Sequence, residues 1–372
     1  MQPVFLYSLL RMMTHRVPFL SAVVGLLTLL PGCLPVTGSP AAVQGEEKIV
    51  KPGVPEAQVA ITKLKPSATF PLGGHPDWMA VTADAVWVSN SALKAVQRID
   101  PATNRVVATI RFPAPPCSGL VFSFGSLWVP LCGKPSSLAR VDARTNQIIA
   151  TLRTGPADSE GGITSSRDSI WIVTNRTGSS SSTATGTKAR TKQQTLVRIE
   201  RRKNTVSQRI SIPQGSFNPL FDRGVIWITG FDSNRLVAVN ATTGHLLATV
   251  PVGPKPRFLT AGAGSIWTLN QGDGTVTRVD ARSKHVLATI KTGSPGTGGE
   301  ICYGASSIWT TVFDLPLTLI DAKSNTVLHQ WTGLGGDSVR FGHHSIWLTD
   351  YHRGLLWRIP ESQVLQAGPP GT

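Results

Sequence analysis

Apolar and polar positions along this chain recur with a period near 40 residues. Each period holds a short β-type run with one tryptophan: Ala85-Val86-Trp87-Val88, Ser126-Leu127-Trp128-Val129, Ser169-Ile170-Trp171-Ile172, Val225-Ile226-Trp227-Ile228, Ser265-Ile266-Trp267-Thr268, Ser307-Ile308-Trp309-Thr310 and Ser345-Ile346-Trp347-Leu348. The tryptophans follow one another at 41, 43, 56, 40, 42 and 38 residues. After each comes a second strand, as in Val96-Gln97-Arg98-Ile99-Asp100, then a tight turn, then a third strand such as Val106-Val107-Ala108-Thr109-Ile110. The turns run Asp100 to Asn104, Asp142 to Asn146, Asn240 to Gly244, Asp280 to Lys284 and Asp321 to Asn325. An Asx residue opens each turn by accepting backbone N–H groups, and Asn or Gly at its end tolerates positive φ. Lys284 fits that end position least well.

With an inner strand before each tryptophan strand, the unit is four short strands in about 40 residues. That is the unit of a β-propeller, and seven copies predict an all-β, seven-bladed propeller. The tryptophans are expected between blades, because one blade alone cannot bury both faces of its sheet. The last copy ends at Pro360, so the ring must be closed by a strand from elsewhere. Ala68-Thr69-Phe70-Pro71-Leu72-Gly73 matches Ala248-Thr249-Val250-Pro251-Val252-Gly253 and is the expected closing strand; Val364-Leu365 is the alternative. The propeller spans 57–360, with 361–372 as a C-terminal tail. The 56-residue spacing is explained by an insertion at 176–194, rich in Ser, Thr and Gly with Lys188, Arg190 and Lys192. It reads as a disordered loop in the third blade.

The N-terminus reads as an address. Arg11 and Arg16 precede an apolar run over 17–30, short for a membrane span and right for a signal-peptide core. It ends Leu29-Leu30-Pro31-Gly32-Cys33, which resembles a bacterial lipobox with Pro31 as its departure. Residues 1–33 are therefore expected to be a signal peptide with Cys33 as the lipidated residue. Ordinary secretion and an uncleaved anchor are the alternatives. Residues 34–56 read as a flexible tether. The expected location is extracytoplasmic, as a cell-surface or periplasmic lipoprotein or else a secreted protein, held to the membrane only by lipid.

Charge changes the picture modestly. The 372 residues carry 36 Lys and Arg against 21 Asp and Glu, a formal +15. Few acids, more than basic runs, make the excess. The balance permits weak attraction to anionic surface polymers. No zinc spacing, helix-turn-helix pattern or RNA-binding signature points to a specific nucleic acid.

The four cysteines suit an exported chain. If the second hairpin turns at Phe124-Gly125, opposed residues sum to 249, and so do Cys117 and Cys132. They are expected to face one another and form a disulfide, or else to pack as two thiols. Cys302 reads as a buried core thiol.

The phrase Val96-Gln97-Arg98-Ile99-Asp100-Pro101-Ala102-Thr103-Asn104-Arg105-Val106-Val107-Ala108-Thr109-Ile110 resembles the YVTN-type propeller repeat of bacterial surface and periplasmic proteins. The resemblance covers about 57–360. A neighbouring family, the virginiamycin B lyases, is also a seven-bladed propeller, in which a His and Glu residues near a magnesium ion open a lactone by elimination. Those enzymes typically carry Trp-Phe-Thr-Glu; here the matching positions read Trp87-Val88-Ser89-Asn90 and Trp347-Leu348-Thr349-Asp350. The lyase His and Glu residues do not map onto this chain. No tryptophan follows Thr243-Gly244, so the quinone-docking motif of quinoprotein propellers is missing.

Propellers bind where loops enter the inner strands. Alignment on the tryptophans places Asp77, Ser118, Glu160 with Gly161, Asn218, Arg257, Glu300 and Asp337 at that entrance. Three residues past the tryptophans come Asn90, Asn270 and Asp350, with His352 close by. Such clustered oxygens suit Ca2+ or Mg2+, paired carboxylates can act as acid and base, and a solvated funnel with Arg257 neutralising one acid is the plain alternative. His343-His344 falls on the opposite face. The reading is a monomeric, non-catalytic binding or interaction module for an unidentified protein or small molecule. The alternative is a metal-assisted lyase or lactone hydrolase using the acids.

Overall fold

The computed structural model describes residues 53–175, 194–313 and 315–365. The expected signal peptide, Cys33, most of the tether, residues 176–193 of the insertion and the last seven residues lie outside them. Seven antiparallel sheets form the blades, and their inner strands are Pro76–Val81, Val121–Ser123, Ile163–Ser165, Ser216–Asp222, Pro256–Gly262, Ile301–Gly304 and Val339–Gly342. Each inner strand contacts the next, and Val339–Gly342 contacts Pro76–Val81, so the ring is closed.

The repeat works at the joints between blades. All seven repeat tryptophans are fully buried, and each packs against the following blade. Trp128 of blade two lies with Ile170, Ile172 and Val197 of blade three, and Trp347 of blade seven lies with Val86, Val88 and Ile99 of blade one. An indole of this kind removes roughly 200 Å2 from water, on the order of 5 kcal/mol. In five blades the residue opposite the tryptophan is an arginine whose guanidinium covers the ring at 4.7–5.4 Å. Four of these arginines then cross to the next blade. Arg98 donates to Ala143 O and Asn146 Oδ1, Arg140 to Arg201 O and Asn204 Oδ1, Arg278 to Ala322 O and Asn325 Oδ1, and Arg358 to Pro101 O and Asn104 Oδ1. The asparagine that ends each turn is thus both its positive-φ residue (53–60° at these four) and the acceptor for its neighbour.

The openings of the turns behave as their chemistry requires. Asp142 Oδ1 accepts from Thr145 N at 2.8 Å, and Asn240 Oδ1 accepts from Thr242 N at 2.8 Å. Blade three, whose turn opens without an Asx residue, uses Glu200 to accept from Arg202 N and Lys203 N. At the inner ring, Gly304 matters because a Cβ there would meet Phe341 Cβ of the next blade at 2.2 Å.

The chain ends are tied more extensively than the sequence pattern implies. Ala68–Pro71 does pair antiparallel with Leu355–Pro360 as the outer strand of blade seven. Before that, Gln58–Ala60 pairs parallel with the outer strand of blade six, so that sheet has five strands instead of four. The alternative closing segment is instead a short helix, Glu361–Leu365, whose Val364 is fully buried. The packed body therefore runs past the expected end at 360, and the expected tail starts as structure. Gln363 accepts from Lys65 N and donates to Lys65 O, joining both ends. Gln194, assigned to the insertion, is the first residue of a strand, Gln194–Glu200. Cys117 and Cys132 are joined as a disulfide, and Cys302 is a buried free thiol.

Lys284 holds φ at 63° in a turn end where its counterparts are Asn or Gly. Lys284→Asn should raise the unfolding free energy by about 1 kcal/mol, seen as a higher urea midpoint at unchanged slope. Asn325→Ala should lower it by about 2 kcal/mol, since it strains the turn and removes the acceptor for Arg278.

Candidate functional site

The inner strands all begin on one face, so the residues just before and at their starts surround the mouth of the central channel. Nine residues before the repeat tryptophans stand Trp78, Gly119, Gly162, Asn218, Phe258, Glu300 and Ser338. Gly119 and Gly162 leave room that Trp78 and Asn218 occupy: a Cβ on Gly119 would touch the Trp78 ring, and one on Gly162 would meet Asn218 Oδ1 at 2.5 Å. Trp78 of blade one meets Phe258 of blade five edge-on, with ring centroids 5.6 Å apart. Those blades are not neighbours, so the contact crosses the channel. The mouth is a bowl with an apolar floor.

Four of the acids expected at the entrance do converge there. Asp77, Glu160, Glu300 and Asp337 come from blades one, three, six and seven, and the last three lift the pKa of Asp77 alongside its burial. Glu300 and Asp337 are only 4% and 6% exposed. Of the neighbouring charges, that of Asp337 raises the Asp77 pKa most. Asp337 Oδ1 also accepts from Gly299 N at 2.9 Å, and Ser338 Oγ donates to Asp77 at 3.1 Å. Burial pushes all four carboxyls above their ordinary range, Glu160 to about 7. For Glu160 the nearby Arg257 offsets part of that rise, while Asp337, Asp158 and Glu300 add to it.

The cations are placed differently from the sequence expectation. Arg257 is ion-paired with Asp158 at 3.0 Å, reaching from blade five to the loop that enters blade three. Its guanidinium is held over Phe217 at 4.1 Å and Phe231 at 5.3 Å. The direct partner of Glu300 is Arg340, on the inner strand of blade seven. Sequence reasoning missed Asp158 and Arg340. Arg340 carried a usable signal: it stands seven residues before its tryptophan, where the other blades have Ala80, Val121, Thr164, Leu220, Thr260 and Cys302. Glu300 Oε2 and Asn218 Oδ1 are buried without a hydrogen-bond partner. Asn218 Nδ2 donates to Arg257 O at 2.6 Å, and Ser118 donates to Gly161 O.

The second expected ring is not at the mouth. Asn90, Asn270 and Asp350 are 0%, 0% and 2% exposed and are taken up by their own loops. Asn90 Oδ1 accepts from His75 N at 3.0 Å while its Nδ2 donates to Gly73 O at 2.7 Å. Asn270 Nδ2 donates to Thr275 Oγ1 and Thr277 Oγ1, and Asp350 is ion-paired with Arg353. At the end of a blade's second strand these side chains lie over the loop to the third, which needs acceptors and donors for its free backbone groups. An aromatic wall stands in their place beside blades seven and one. His75 stacks on Tyr351 at 4.6 Å, and Phe313 lies 5.3 Å from His352. The charges of Asp77, Asp337 and Glu160 help raise the Tyr351 pKa, after burial, and so place that wall next to the acids.

Among the described residues, no group of three or more His, Cys, Asp or Glu side chains is disposed to hold a metal ion. Of the four acids at the mouth only Glu300 is ion-paired, and among the described residues the expected Ca2+ or Mg2+ ligand set is not assembled. His343 and His344 sit in a hairpin turn on the other face, with His343 Nε2 2.8 Å from Thr82 O.

A glutamate that keeps its proton to about pH 7 when folded, against 4.5 otherwise, makes the folded chain hold more protons across that window. Stability should therefore fall as pH rises from about 4.5 to 7. Glu160→Gln should flatten the fall by on the order of 2 kcal/mol, read from urea midpoints at pH 5 and pH 8. Equal pH slopes in the two proteins would contradict this placement of Glu160.

No family model matches the chain. No curated protein matches it either. Among solved structures the chain is similar to one titled "Streptogramin B lyase structure", with a TM-score of 0.62 and 15% sequence identity over 77% of this chain and 94% of that chain. At that identity the likeness shows the fold alone, a seven-bladed propeller.

Proposed function

We propose that this propeller is a non-catalytic binding module, exported and lipid-anchored through Cys33, whose ligand presents a cationic group to the channel mouth. One observation carries the reading. Carboxyls from four blades converge above an apolar floor, and among the described residues only Glu300 has a cation in direct contact. Crowded acids of this kind hold protons that an incoming ammonium or guanidinium would displace. The wall of His75, Tyr351, Phe313 and His352 supplies ring faces and edges for the apolar part of such a ligand. The apolar run over 17–30 and the lipobox-like end at Cys33 support export and anchoring.

A second reading rests on the Asp77–Asp337 pair. Two neighbouring carboxyls, both raised by burial and standing beside Glu160, resemble an acid–base set. The fold likeness to a structure titled as a streptogramin B lyase makes a lyase or lactone hydrolase the reaction to test. It carries over no residue.

Titration calorimetry with agmatine and putrescine, against uncharged 1-butanol, tests the binding reading. Binding should be confined to the two amines and strengthen from pH 5.5 to pH 8, because the acids must ionise. Asp337→Asn and Asp77→Asn should each weaken it about tenfold, or 1.4 kcal/mol. Absence of binding by either amine at pH 8 would refute it, and turnover of a lactone that is lost in Asp337→Asn would establish the second reading. For the anchor, Cys33→Ser should move the protein from the membrane fraction to the soluble exported fraction.

A further inference from the structure

We propose that the concavity between blades two and three, on the face opposite the acid mouth, is a binding site for a phosphoryl group. It encloses about 370 Å3 and is lined by Phe124, Arg140, Arg201 and Arg202. No acid lines it. A comparable concavity of about 480 Å3 beside Arg98 on the same face is lined by Asp84 and Asp100 as well.

The contrast comes from how each repeat arginine is neutralised. Arg98 is ion-paired with Asp84 at 2.7 Å, and Arg198 with Asp168 at 3.0 Å. Those aspartates sit in the inner hairpin turns of blades one and three. In blade two that turn is Phe124-Gly125, with Gly125 at the aspartate's position and the Phe124 ring beside it. Among the described residues Arg140, Arg278 and Arg358 form no ion pair, and Arg140 lines its concavity with two further arginines. Its Nε and Nη1 are fixed by Ser126 Oγ, Arg201 O and Asn204 Oδ1. Arg201 adds a second guanidinium, held over the Phe124 ring at 4.6 Å. Burial and this neighbour lower the Arg140 pKa, with Asp142 offsetting part of the fall.

The carboxylates of the flanking turns do not fill the site. Asp142 accepts from Arg144 N and Thr145 N, and Glu200 accepts from Arg202 N and Lys203 N. Two guanidiniums held in place by a hydrogen-bonded turn and an aromatic ring, with a third at the rim, present a forked set of N–H donors. That geometry matches the oxygens of a phosphate ester, and its rigidity lowers the ordering cost of binding. A lipid headgroup and a soluble phosphate ester offer the same chemistry.

The test titrates glycerol 3-phosphate into the full chain and measures co-sedimentation with vesicles of phosphatidylglycerol or of phosphatidylcholine. The variants are Arg201→Gln, Arg202→Gln and the double variant. Neither side chain belongs to the tryptophan–arginine–asparagine joint, and an unchanged urea midpoint in each variant checks that losing the Arg201 contact with Phe124 leaves the fold intact. Arg282→Gln with Lys323→Gln neutralises the equivalent positions of two other turns and serves as the control. Glycerol 3-phosphate affinity should fall about tenfold in the double variant and stay unchanged in the control. A matching, arginine-dependent loss of sedimentation with phosphatidylglycerol assigns the headgroup as a source. Loss with the soluble ester alone assigns a free phosphate ester. No binding of the ester to the unmodified chain, or equal loss in the control, overturns the proposal.

Discussion

The joint between blades is the constraint from which the other features follow. A four-stranded blade has two apolar faces, and neither is covered within the blade. The repeat solves this with three residues on three strands and turns: a tryptophan pointing at the next blade, an arginine flat against the indole, and an asparagine in the next blade's turn that receives the arginine. The exceptions show that the set belongs to the joint. Blade six has Leu319 where the arginine would be, and the blade after it has no outer turn to receive one, because its outer strand arrives from the N-terminus. Blade four has Ala238 in that place, facing a turn that ends in Lys284. Blade three keeps Arg198, but the next turn ends in Gly244, and Asp168 of its own blade takes the guanidinium instead.

A ring held this way presents seven strand starts to one spot, and that geometry gives the acids their character. The chain has two populations of carboxyls. Those opening the outer turns accept backbone and side-chain N–H and O–H groups, which hold Asp100, Asp142, Asp280 and Asp321 below their ordinary pKa. Those at the channel mouth are crowded over Trp78 and Phe258 with few donors, and burial moves them the other way. Identical side chains thus serve as turn fasteners on one face and as a proton-holding cluster on the other. Where each sits in the blade decides which.

The repeat and its closure were legible because they rest on local chemistry. A tryptophan period, an Asx turn and the likeness of Ala68–Pro71 to an outer strand are patterns in a line of letters. The entrance residues were legible to the extent that alignment on the tryptophans counts strand positions. Asp77, Glu160, Glu300 and Asp337 were found so. Asn90, Asn270 and Asp350 were misplaced, because counting along a strand does not say whether a side chain leans over its loop or toward the channel. Arg340 and Asp158 were missed for a related reason. One lies inside a strand and the other in a loop before it, and only the closed ring brings them to the mouth. Gln58–Ala60 has too short and weak a pattern to be read as a strand, since its place depends on an edge supplied by residues 272 positions later.

The two faces of the disc differ in how far the repeat controls them. On the turn face, the fasteners dictate most positions, and basic residues collect there because turns and joints use arginine and tolerate lysine. A ligand site on that face can arise where the turns gather cations without acids, as beside Phe124-Gly125, where Arg140 stands with Arg201 and Arg202. On the mouth face, the positions just before and at the strand starts carry no joint, so they vary from blade to blade: Asp77, Ser118, Glu160, Asn218, Arg257, Glu300 and Asp337. Seven residues of five types around one axis form an asymmetric site on a nearly symmetric frame. Specific recognition of a small ligand requires that asymmetry, and the repeat leaves room for it only there.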